Sequence, residues 1–203
     1  MIFIFCSSVL FSQVPEEELP FLALTSMSLH SGVAVPLEPS AFPTYWHAGP
    51  LINVGMDFIT RNNLLFNLSI GFNYFKFDDV QFKLDKGVAD LANSYDFNAN
   101  ITNIIISYKT ASMLSEFNEI HVEAGGGYYF IERVDTDNTY LNRYDETELV
   151  YLQKSGPGIS VAVSLRRWFS DTFSTVLKAR FNHVFNIRES HQTVEILLGA
   201  TIH

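Results

Sequence analysis

His121 and Glu123 stand two residues apart, so on an extended backbone their side chains share a face, the simplest arrangement in which an imidazole and a carboxylate could hold a metal ion. Two ligands without a third rarely make such a site, so a hydrogen-bonded cluster is the expected outcome. The chain has no Gly-rich phosphate loop, no Gly-x-Ser-x-Gly elbow, no Cys pair and no His-Glu-x-x-His helix. What remains is a set of charges of both signs spaced along alternating segments: Asp57, Glu123 and Glu195 against Arg166, Lys178 and Arg180. Such a mixture can neutralise itself in a sealed interior. The reading is therefore a structural charge cluster, with no catalytic residue, no cofactor and no metal.

The elements that carry these charges are legible from period-two alternation. Leu64, Phe66, Leu68, Ile70, Phe72 and Tyr74 are large and apolar, while Asn67, Ser69, Gly71 and Asn73 between them are small or polar. Side chains of a strand alternate faces, so this stretch is one strand with an apolar and a polar face. The pattern recurs over Ile52 to Phe58, Thr102 to Tyr108, Ile120 to Phe130, Ile159 to Leu165, Leu177 to Phe181 and Val194 to Ile202, and more weakly over Met27 to Val35. That makes eight strands. Three links are short (Thr60 to Asn63, Thr110 to Asn118, Phe169 to Phe173) and alternate with longer ones near Glu38 to Trp46, Asp78 to Asn98, Asp135 to Ser155 and Asn186 to Gln192. Short turns at one end and long loops at the other are a property of outer-membrane barrels.

Two architectures fit, and they orient the apolar face oppositely. A soluble lipocalin-like carrier keeps it inside around a ligand; a membrane barrel turns it to lipid. A face in water should carry roughly a quarter to a third charged residues. Here the polar face is mostly Asn, Ser, Gly and Ala, which suits a narrow lumen, so the expected fold is all-β, an eight-stranded antiparallel up-and-down transmembrane β-barrel. Eighteen Phe and nine Tyr supply aromatics for an interfacial girdle. Trp46, Phe58, Tyr74, Phe77, Tyr108, Phe130, Trp168, Phe169, Phe173 and Phe185 lie near strand ends, where it would need them. An eight-stranded barrel is only wide enough for side chains to fill it, so no open pore is expected.

Residues 1–12 are apolar like a signal h-region but lack a basic start, and the expected division is a signal peptide at 1–12, a lead-in at 13–24 and the barrel at 25–203. Removal of 1–12 would take away Cys6, the one cysteine, which suits passage through an oxidising periplasm. The net charge of −9 sits mostly in the loops, with Asp78, Asp79, Asp85, Asp90 and Asp96 in one and Asp135, Asp137, Asp145, Glu146 and Glu148 in another. That argues against nucleic acid as a partner. Acidic exposed loops usually serve solubility, with divalent cations or a basic partner as alternatives, and Tyr95, Tyr140 and Tyr144 in the same loops leave a protein contact open there.

With Gly32-Val33-Ala34-Val35-Pro36 in the first strand and Ser164-Leu165-Arg166-Arg167-Trp168-Phe169-Ser170-Asp171 running into a tight turn, the chain resembles the small outer-membrane β-barrel proteins of Gram-negative bacteria. The likeness is to the eight-stranded OmpA and OmpX type and to the porin-like barrels of Bacteroidetes, and it spans about Thr25 to His203. It implies localisation in the cell outer membrane, contact with outer-membrane lipid and lipopolysaccharide, and a structural or surface-interaction role, although such barrels host several functions. These families usually end on an aromatic residue, whereas here the last residue is His203. Some eight-stranded barrels cleave acyl chains from lipopolysaccharide with a His on a late strand and a Ser two residues on. This chain has His183 but Phe185 in the Ser position, which disfavours a lipid-modifying enzyme.

Overall fold

The computed structural model describes residues 21–86, 97–134, 140–141, 147–148, 151–185 and 190–203, side chains of 140–141, 147–148 and 151 excepted. The segments read as a signal peptide and most of the lead-in, and the loop residues Asp90, Tyr95, Asp96, Asp135, Asp137, Tyr144, Asp145 and Glu146, lie outside the described residues. Each alternating run forms a strand, and the strands are β1 (Leu22–Glu38), β2 (Gly49–Thr60), β3 (Leu65–Phe75), β4 (Ala99–Ser115), β5 (Asn118–Val134), β8 (Tyr151–Ser170), β9 (Phe173–Val184) and β10 (His191–Ile202). A two-stranded ribbon, β6 (Tyr140–Leu141) with β7 (Thr147–Glu148), stands apart from the main sheet.

Sequential strands pair antiparallel, and β1 pairs with β10 from Met27↔Ile202 to Glu38↔Gln192, closing the sheet into a barrel without an edge. Closure satisfies the ladder hydrogen bonds within the sheet, the condition for a β-structure to sit in hydrocarbon. The barrel strands run from 11 residues in β3 to 20 in β8, enough for a tilted crossing that needs about 9 to 11. No helix is long and apolar enough to cross a membrane among the described residues.

The apolar rows face outward. Leu177 is 51% exposed and Leu198 63%, whereas Asn53, Ser69 and Glu195 on the opposite rows are each 1% exposed. This orientation is the reverse of a lipocalin-like carrier, whose ligand cavity is lined by the apolar face. The soluble alternative is thereby excluded, and the outer surface is one suited to lipid.

Short links lie at one end. Between β2 and β3, Asn63 takes φ 59°, a left-handed conformation that its short polar side chain tolerates, and its N–H donates to the Thr60 carbonyl at 2.9 Å. The β4–β5 link is shorter than the alternation predicts, because pairing continues to Ser115↔Asn118 where the apolar signal has lapsed. Asn118 Nδ2 donates to Ser115 Oγ at 2.7 Å across it.

The long-loop end holds two short helices that alternation does not reveal, α1 (Ala41–Tyr45) and α2 (Asp79–Lys86). They fold over the barrel mouth. Phe42, Trp46 and Phe82 are fully buried there against Phe75, Phe77 and Phe97, with ring centroids 5.1 Å apart for Phe42 and Phe75 and for Phe77 and Phe97. Trp46 Nε1 donates to the Phe97 carbonyl at 2.8 Å, so the indole buries its polar atom with a partner. Trp46 and Phe77 are therefore not girdle residues but core of this cap. Trp168 also departs from the girdle, since it shares the inward row of Arg166 and packs on His203 at 4.2 Å. Tyr108, Phe130, Phe169, Phe173 and Phe185 are exposed on the outer surface.

A charge on the outer row should be costly in proportion to its depth. Leu177→Arg, mid-strand, is expected to lower the unfolding free energy in lipid vesicles by about 2–4 kcal/mol, and Thr110→Arg near the turns by about 0–1 kcal/mol. Denaturant titration followed by Trp fluorescence measures both.

Candidate functional site

The inward rows converge on a narrow bore that changes character along its length. At the loop end it is filled by the aromatic cap together with Leu51, Ile101, Ile131, Val134 and Val184. Below the cap lie the charged side chains, carried by the polar rows of β2, β4, β5, β8, β9 and β10, while β1 and β3 contribute neutral polar residues. Lys109 on β4 is directly opposite Glu123 on β5, and Arg180 on β9 directly opposite Glu195 on β10.

All six residues of the charge cluster read from sequence, Asp57, Glu123, Arg166, Lys178, Arg180 and Glu195, are buried in this bore. They form three groups rather than one. Asp57 receives Lys109 Nζ at 2.7 Å and Arg166 at 3.2 Å on one oxygen, which also accepts from Ser26 Oγ at 3.0 Å. Asn67 Nδ2 donates to its other oxygen at 2.7 Å. Glu123 pairs with Lys178 at 2.9 Å. Glu195 accepts from Asn73 at 2.8 Å and Asn182 at 2.9 Å, with Arg180 at 3.5 Å. The Asp57 group ties β1, β2, β3, β4 and β8 together across the bore. Charges taken out of water this far require both a counter-charge and hydrogen bonds to the remaining lone pairs, and the Asn and Ser residues of the lumenal rows supply the second.

His121 and Glu123 do not act as a pair. His121 Nε2 meets Glu119 Oε2 at 3.0 Å, while Glu123 turns to Lys178. No group of three or more potential metal ligands forms among the described residues. Lys109, Glu119 and His30 belong to the lumenal set but escaped the sequence reading. Their signal was parity, since Lys109 continues the row of Asn103 and Ser107, Glu119 that of His121, and His30 that of Ala34. His183 lies on the outward row of β9, its ring 4.8 Å from that of Phe185.

Outside the strands, Asp78 caps α2, its Oδ1 accepting the Gln81 N–H at 2.9 Å. That backbone hydrogen bond holds the Asp78 carboxyl below its ordinary value; it outweighs the opposing effect of burial and is reinforced by the contact with His47 at 2.9 Å. A lowered carboxylate contributes stability that is present above its ordinary pKa and is lost as pH falls through the folded value.

No family model matches the chain, and no curated protein matches it. Solved structures do. Neisserial surface protein A (NspA) superposes with a TM-score of 0.57 at 7% identity, covering 87% of this chain and 95% of that one. A major outer membrane protein from Thermus thermophilus superposes at 0.53 and 13% identity, covering 87% and 98%. At such identities the likeness is one of fold: this chain has the eight-stranded architecture of small outer-membrane barrels.

Two outcomes follow for the site. Asp57→Ala leaves Lys109 and Arg166 facing each other without a counter-charge, and the unfolding free energy in detergent should fall by about 3–5 kcal/mol; an unchanged midpoint contradicts the bracing role. Asp78→Ala removes the α2 cap, at about 0.5–2 kcal/mol of local stability, seen as faster amide exchange at Gln81 and Phe82 with the barrel strands unaffected.

Proposed function

We propose that this chain is an integral outer-membrane barrel, closed to solutes, with a structural or surface-interaction role, and that its lumenal charges brace the barrel rather than perform chemistry. The observation that carries this reading is the outward apolar belt around an interior already filled by side chains. Hydrocarbon is the environment in which such a belt costs nothing. The fold shared with a Neisserial surface protein and a Thermus outer membrane protein supports the same location.

Closure has two layers. Phe42, Trp46 and Phe82 cover the mouth, and the Asp57–Lys109–Arg166 group crosses the bore nearer the turns. A solute would have to displace both. Catalysis is not part of this reading: His183 lies on the outer surface with Phe185, rather than a hydroxyl, beside it. The partners are outer-membrane lipid and lipopolysaccharide along the belt, and a protein at the long loops, whose acidic charge disfavours nucleic acid.

The test combines fractionation with conductance. The protein should stay in the membrane pellet after urea extraction, migrate differently on gels with and without boiling, and give no resolved current steps in a planar bilayer. Release by urea would refute membrane integration, and regular current steps would refute closure.

A further inference from the structure

Between the Asp57 and Glu123 groups the bore encloses a small cavity whose lining is unevenly charged. Three cations, Lys109, Arg166 and Lys178, border it, against two carboxylates, Asp57 and Glu123. The next charges along the bore are already engaged, Glu119 by His121 toward the turns and Arg180 by Glu195 toward the cap. Both oxygens of Asp57 are taken by Ser26, Asn67, Lys109 and Arg166, so its acceptor capacity faces its own partners.

Unused donors border the cavity from several sides, against one carboxylate oxygen left without a hydrogen bond, Glu123 Oε1. An ammonium carries three N–H groups, and the bonds of Lys109 and Lys178 to Asp57 and Glu123 do not exhaust them. His30 is 3% exposed, lines the cavity, and has no hydrogen-bond partner at either ring nitrogen. Thr201 is fully buried with an unpartnered Oγ1, and Arg166 Nε is likewise unpartnered. The His30 ring is held by its neighbour across the ladder: a Cβ at Gly199 would run into the ring, so only glycine lets it lie there.

We propose that this cavity binds a single small inorganic anion of the size and charge of chloride. A monatomic anion offsets the local excess of positive charge and accepts from ammonium, guanidinium, hydroxyl and imidazole N–H donors at once. A cation would meet three like charges, and an organic ligand would not fit between side chains that bridge the bore. The anion would complete the brace as a further acceptor, trapped when the barrel closes.

Crystals grown after refolding in bromide test this directly. The expected result is an anomalous difference peak in the cavity bordered by Lys109, Lys178 and His30. In detergent, the unfolding midpoint of the wild-type protein should rise with chloride and saturate, beyond any rise in gluconate at equal ionic strength. That increment should shrink in Thr201→Val and Ser28→Ala, which remove neutral lining hydroxyls and leave every ion pair intact. Bromide crystals with only water-like density in the cavity, or equal midpoints in chloride and gluconate, would overturn the proposal.

Discussion

Buried charge inside a closed barrel has nowhere to go, and the rest of this molecule is arranged around that constraint. Asp57, Glu123 and Glu195 cannot reach bulk water once the sheet closes, so each must find its counter-charge within the bore, Glu195 from Arg180 on the adjacent strand and the other two from more distant strands. Two of the pairs join strands distant in sequence: Asp57 reaches Arg166 over 109 positions and Glu123 reaches Lys178 over 55. Such contacts fix the relative stagger of strands in a way that the outer rows, in contact with fluid lipid, cannot. Sliding one strand by a single residue would turn its charge toward hydrocarbon.

The bore divides into a mainly aromatic part and a mainly charged part, and the division follows from the ends. At the turn end the links are too short to cover anything, and the mouth is bordered by Trp168 and His203, with His203 accepting from or donating to Ser174 at 3.0 Å. At the loop end, long connections supply spare chain. Two of them fold inward as α1 and α2 and bury their aromatics in place of solvent. The aromatic cap takes in charge only where it is matched, Arg133 over the Trp46 ring at 5.6 Å and Lys83 against Asp79 at 2.7 Å, and it shields the ion pairs beneath it from water, which strengthens them.

Much of this was legible in the residues. Alternation located all eight barrel strands, and the small polar character of rows such as Asn67, Ser69, Gly71 and Asn73 pointed those rows at a crowded lumen. The six charges were found because they sit on the same parity. Lys109 was missed because its neighbours Thr110 to Ser115 dilute the alternation, although the strand continues through them by pairing alone. The partner of Glu123 was illegible, since neighbours on one strand say nothing about Lys178 arriving from another, whereas His121 pairs with Glu119 two residues back on its own face. Trp46 and Phe77 misled for a related reason: an aromatic near a strand end serves a girdle or a cap, and only the path of the loop decides. The short helices α1 and α2 lack the length over which a 3.6-residue period can be read.

The account rests on which environment each row of a strand meets. Spin labels placed singly along β8 from 157 to 167 in lipid bilayers measure this directly, through collision with oxygen dissolved in lipid or with a water-soluble nickel complex. The structure requires a period of two, with labels at 159, 161, 163 and 165 meeting oxygen and shielded from nickel. Nickel access at those four positions, with 160, 162 and 164 in contact with lipid, would contradict it.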